Sequence, residues 1–156
     1  MRLDDEIHFN YLKSRACFAD GDTHGALMWY RKNRAEHGVE LFYEVELPEK
    51  LLFVHPIGSV LGRAEYRGAL VVYHGVGVGS SLDGARPTLG KGVALFPGSK
   101  VLGASVIGDN VFVEANTVIH GQTIPRNSVV SGSRDNLKIR PTKRSVIAHF
   151  WGAEHA

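Results

Sequence analysis

The chain has 156 residues, 44% of them hydrophobic and 22% charged, with a formal net charge of +2. That is enough to bury one core, and with no Lys/Arg block it argues against a nucleic-acid partner. A single cysteine, Cys17, excludes an internal disulfide framework, and no apolar run approaches the ~20 residues of a membrane span. The start, MRLDDEIHF, lacks an apolar signal core, so the expectation is a soluble cytoplasmic protein.

Residues 4–19 read as a helix with Ile7, Leu12 and Ala16 or Cys17 on one side, closed by the turn Asp20-Gly21-Asp22. Asp22 or Thr23 caps a second helix that runs through Tyr30 to His37 and stops at Gly38. Residues 1–38 are thus a short helical N-terminal segment, an appendage and not a second domain. At Val39 the pattern changes to VELFYEVELPEKLLFVHPIG, with clustered apolar residues broken by Pro48 and Pro56, read as a first, irregular coil.

The regular coils lie beyond it. Val54, Val60, Tyr66, Val72 and Val78 step by six, with Ala64, Leu70, Val76 and Leu82 four places on. A second series runs Leu89, Leu95, Val101, Ile107, Val113 and Ile119 until Pro125 breaks it, accompanied by Val93, Ser99, Ser105, Val111, Thr117 and Thr123. Neither a 3.6 nor a strict 2 period fits such a run, whereas six is the hexapeptide period of a parallel β-helix. Gly90, Gly103, Gly108 and Asn110 suit its corners, where a positive φ is needed. Between Val78 and Leu89 the step is eleven, so about five residues of SSLDGARPT are pushed out as a loop holding Asp83 and Arg86. The β-helix is expected over 39–133, with a tail over 134–156; past Val130 the polar, basic SGSRDNLKIRPTKR leads into SVIAHFW, a piece suited to capping the open end or docking on a neighbour.

Of eight histidines, three fall in the repeat: His55, His74 and His120. Acyl transfer to a hydroxyl needs a general base, usually His, oriented by a carboxylate, with N–H groups for the oxyanion. Glu40, fifteen residues before His55 and so close to one coil away, is an available carboxylate. By residue type alone any of the three histidines is more often a corner or surface group than a base. Zinc on three histidines is disfavoured by the open spacings, and the GVGVG run at 75–79 lacks the helix a phosphate loop requires.

HPIGSVLG, from His55 to Gly62, with Val39-Glu40 upstream, resembles the catalytic-histidine segment of the hexapeptide-repeat acyltransferases, and of their serine O-acetyltransferase-like branch in particular. The likeness covers about 39–139. It implies a left-handed β-helix, a homotrimer with grooves between prisms, and acetyl-CoA as co-substrate for O-acetylation of a small polar acceptor, a sugar or a serine-like compound. It implies His55 as base with Glu40 as its partner, and His74, Arg86 and Asp83 on the acceptor side. Pro97, Gly98, Ala115 and Lys138 fall where that branch contacts the cofactor, and no metal is implied. Two departures stand out. Val54 occupies the place of an aspartate before the histidine, and Gly84-Ala85-Arg86-Pro87 replaces Asp-Arg-His-Pro. Two other classes compatible with the repeat are a non-catalytic trimeric scaffold and a zinc-dependent β-helix hydratase.

Overall fold

The computed structural model describes residues 3–155. Helices α1 (Leu3–Ala19) and α2 (Thr23–Lys32) pack on each other, and Asp22 caps α2 by accepting the Gly25 N–H at 2.8 Å. Past Lys32 the helix widens into a π turn, Asn33–His37, which ends at Gly38 with φ 63°. The inward face of α1 differs from the expected one. Ile7 is buried, but Leu12 is 53% exposed, and Asn10, Tyr11 and Ser14 point inward in its place. Polar contacts set that rotation. The Asn10 amide donates to Asn33 Oδ1, the Asn33 amide to the Ile7 carbonyl, and the Ser14 hydroxyl to the Ala26 carbonyl. Tyr11 donates its hydroxyl to the Val45 carbonyl and accepts the Leu47 N–H, tying α1 to the first coil.

The repeat forms five coils. They are built from β1 (Glu40–Leu41) and β2 (Leu51–Val54); β3 (Val60–Leu61), β4 (Glu65–Tyr66) and β5 (Leu70–Tyr73); β6 (Gly77–Gly79), β7 (Thr88–Leu89) and β8 (Val93–Leu95); β9 (Lys100–Leu102), β10 (Val106–Ile107) and β11 (Val111–Val113); and β12 (Val118–His120), β13 (Thr123–Ile124) and β14 (Ser128–Ser131). Each strand pairs in parallel with its counterpart one coil away. The result is a prism with a first face β1-β3-β6-β9-β12, a second face β4-β7-β10-β13 and a third face β2-β5-β8-β11-β14. A last strand, β15 (Lys138–Pro141), joins the third face antiparallel to β14.

The aliphatic step of six fills the interior from Leu89 to Ile119, every member 1% exposed or less. The period slips at both ends. Ile124, five residues after Ile119, takes the inward place, and Thr123 is exposed. In the earlier series Phe53 and Leu61 point inward, while Val60 is 41% exposed, because the turn His55–Ser59 is two residues longer than the corner at His74-Gly75 that stacks on it. Leu82, expected at a small-residue place, lies fully exposed on the extruded loop. Gly103 and Asn110 adopt positive φ as expected, but Gly90 and Gly108 do not. Those two glycines instead allow close approach of coils: a Cβ on Gly108 would sit 2.6 Å from the Arg126 backbone nitrogen.

Ile7 and Tyr11 belong to the same buried cluster as Leu41, Phe53 and Leu61, so the helices plug the first coil, and Leu137 packs against the cluster further along. SVIAHFW neither caps the end nor stands free. It forms α3 (Val146–Trp151), which lies against the outside of the third face, with Val146 buried among Val71, Ala94 and Phe112. The Val146 N–H donates to Asn110 Oδ1 at 2.8 Å, fixing the start of that helix.

Candidate active site along one edge of the prism

Where the chain leaves the third face for the first face of the next coil, successive corners stack into an edge. Val54 pairs with Tyr73, so His55 and His74 leave the sheet at adjacent levels of that edge. The Gly75 N–H donates to the Ile57 carbonyl, the Gly98 N–H to the His74 carbonyl, and the Asn116 N–H to the Pro97 carbonyl. His55, His74, Pro97-Gly98 and Ala115 therefore line one edge in chain order, and at ~4.8 Å per coil the first and last are roughly 14 Å apart. Lys138 lies opposite Ser131 at the end of β14, which puts its backbone at the same edge beyond the last coil.

His55 is exposed and holds φ 49°, the left-handed region, between β2 and Pro56. A non-glycine residue there is uncommon, although His, like Asn, tolerates it better than most types, and such strain gathers at functional sites. Among the described residues its side chain makes no hydrogen bond or ion pair. The expected pairing with Glu40 is absent. Glu40 lies on the outer side of the first face, opposite Val60, and its carboxylate meets Arg34 Nε at 3.5 Å. It also faces the Tyr30 hydroxyl, whose pKa is raised by burial and then by this carboxylate. The reason lies in the helices: the π turn carries Arg34 over the first coil, and a guanidinium holds a carboxylate better than an uncharged imidazole does.

Asp83 and Arg86 sit elsewhere. Their loop leaves β6 and enters β7, at the junction of the first and second faces, so within one chain the first face separates it from His55. Asp83 is used by the loop itself. Its carboxylate accepts the Ser81 hydroxyl and, at 3.1 Å, the Ala85 N–H, and these bonds, the first above all, hold its pKa below the usual carboxylate range. Arg86 is exposed and has no polar partner among the described residues. The chain thus brings together His55, His74, Pro97, Gly98 and Ala115, and keeps Asp83 and Arg86 apart from them.

A cavity of about 710 Å³ opens beside this edge on the outside of the third face. Phe96, Phe112 and Val129 form an apolar floor, Glu114 and Ala115 its side towards the edge, and Arg140, Thr142 and Arg144 its rim. Tyr73 stacks on Phe96 at 5.0 Å and extends the floor towards His74. Arg140 donates to Glu114 at 2.8 Å. Sequence reasoning singled out Lys138 and passed over Arg140 and Arg144. The signal was the alternation of basic residues around Pro141, which suits an edge strand with one charged side.

No protein-family model matches the sequence. The chain is 36% identical over 101 residues to a serine acetyltransferase of Helicobacter pylori, a match covering 62% of this chain and 58% of that protein. To a serine acetyltransferase of Mycobacterium tuberculosis it is 34% identical over 99 residues, covering 61% and 43%. The chain therefore spans about half the length of the curated relatives it matches. Among solved structures, the serine acetyltransferase of Neisseria gonorrhoeae in complex with serine superposes with a TM-score of 0.74 at 25% identity, over 85% of this chain and 54% of that one. The Brucella abortus serine acetyltransferase in complex with coenzyme A gives 0.74 at 16% identity over 87% and 55%, a likeness of fold alone. In sequence and in fold the chain is similar to the left-handed β-helical part of the serine acetyltransferases, a branch of the hexapeptide-repeat acyltransferases.

Proposed function

We propose that the chain is an acetyl-CoA-dependent O-acetyltransferase acting on a hydroxyl of a small polar acceptor. The observation that carries this is the edge on which His55 and His74 precede Pro97-Gly98 and Ala115, ending beside a cavity with an apolar floor and an arginine rim. The pantetheine arm would run along the edge, with its thioester at His55 and its phosphates near Lys138, Arg140 and Arg144. His55 takes the acceptor hydroxyl proton as the oxygen attacks the thioester carbonyl. The tetrahedral intermediate then collapses, and the thiolate leaves with that proton. Glu40 would orient the imidazole after exchanging Arg34 for His55.

The acceptor side would come from a neighbouring chain. Asp83 and Arg86 lie across the first face from His55, so a closed three-fold assembly would bring the loop of one subunit to the edge of the next. Val54 and Gly84-Ala85 depart from the serine-binding pattern, which favours a sugar or another polar alcohol over serine. The test is release of free CoA thiol from acetyl-CoA with a panel of sugars, serine and related alcohols. Turnover with a sugar and little with serine is the expected result, and no release with any acceptor would leave a scaffold as the function.

A further inference from the structure

We propose that the helical cap binds a divalent, zinc-class cation between Glu6 of α1 and Glu36 and His37 of the π turn. One ligand atom from each of the three residues lies within 4.8 Å of the others. An ion with bonds of about 2.0–2.1 Å draws such a set together by small side-chain rotations. Neighbouring residues of an α-helix diverge by roughly 100°. The wider π turn reduces that angle, which lets Glu36 and His37, adjacent in sequence, serve one centre.

His37 supplies the independent observation. Its side chain is 5% exposed, its Nε2 has no hydrogen-bond partner among the described residues, and that nitrogen faces Glu6 Oε1 at 4.0 Å. The gap is too long for a hydrogen bond. A buried imidazole nitrogen is thus aimed at the carboxylates without a hydrogen bond to either of them.

Lys32 tells what the site wants. Its ammonium bonds the Glu36 carboxylate and lies 3.4 Å from Glu6 Oε1, so the carboxylates already share a cation. That ammonium leaves Nε2 without a partner, whereas a divalent ion engages all three groups. Lys32 is the competitor: its side chain is one-third exposed and swings to solvent when the ion enters. One nitrogen and two oxygen donors favour a zinc-class ion over calcium or magnesium. The ion would clamp α1 to the segment that enters the first coil at Val39. It is distinct from any site on the repeat histidines and independent of the acetyltransferase reading.

The experiment is titration of the metal-free 156-residue chain with Zn²⁺, monitored by calorimetry and by melting temperature, and with Co²⁺, monitored by its visible absorption. One equivalent per chain, with a raised melting temperature, is expected. Glu36→Gln, on an exposed residue that the fold does not need, should weaken binding by at least about tenfold. Lys32→Met should tighten it, because the competing ammonium is gone. Replacement of the exposed His24 by Gln should change nothing. Wild-type affinity in both Glu36→Gln and His37→Gln would overturn the site by placing the ion on other histidines, as would failure of even Lys32→Met to bind one equivalent.

Discussion

At His55 a strained backbone and an imidazole without a partner among the described residues coincide on an exposed corner. A general base acts in the transition state and not on the bound cofactor. His55→Ala should therefore lower kcat by about 10²–10⁴ with acetyl-CoA affinity nearly unchanged, while His74→Ala mainly raises the acceptor KM. Steady-state kinetics check both, and the reverse pattern would move the base by one coil. Glu40→Gln should reduce turnover and leave the melting temperature close to wild type, since its exposed pairing with Arg34 contributes at most about 1 kcal/mol. Wild-type turnover in that variant, measured by CoA release, would remove the carboxylate from the mechanism.

Among the elements, the corner glycines and the helical cap give the sharpest expectations. Gly108 lies against the Arg126 backbone, which cannot turn aside as a side chain can, so Gly108→Ala should cost roughly 1–3 kcal/mol in urea unfolding. Gly121, where a Cβ would meet nothing within 4 Å, lacks that close approach, although its φ of 70° still strains any replacement. The cap carries a pH dependence through His8, half-buried on α1. Burial lowers its pKa, and the Asp5 carboxylate offsets part of the shift. A depressed folded value means that the contribution is fully present above the unfolded pKa of about 6.5 and is lost as pH falls through the folded value. The melting temperature should fall more steeply below about pH 6.5 in wild type than in His8→Gln, and parallel curves would exclude the effect.

For the whole molecule the consequence is assembly. A prism presents convex edges, and the loop holding Asp83 and Arg86 lies across a face from His55. On the function proposed above, a complete site would draw on a second chain, and heterologous contacts that close do so in rings. Light scattering should give a trimer or a multiple of it. Mixing inactive His55→Ala chains with inactive Arg86→Ala chains should restore part of the activity. An active monomer, or mixtures that stay inactive, would sink the shared site.

Much of the fold was legible in the residues because a solenoid is nearly one-dimensional: each inward position contacts its equivalents one coil away, so a local period reports tertiary packing. The step from Leu89 to Ile119 and the extruded loop derive from it, whereas the Gly38 stop was legible as a helix terminus and His55, Pro97, Gly98 and Ala115 only through the family resemblance. The register failed where the period did, at the longer His55–Ser59 turn and at Ile124, since inserting or deleting residues at a corner leaves no mark in composition. Contacts between unlike elements were beyond the repeat altogether. Only the tertiary structure decided that Arg34 of the π turn takes Glu40 from His55, that α3 lies along the third face, and that Arg140 and Arg144 rim a cavity. Each depends on how a helix or an antiparallel strand docks on the prism, and docking is set by side-chain shape and charge across long stretches of chain.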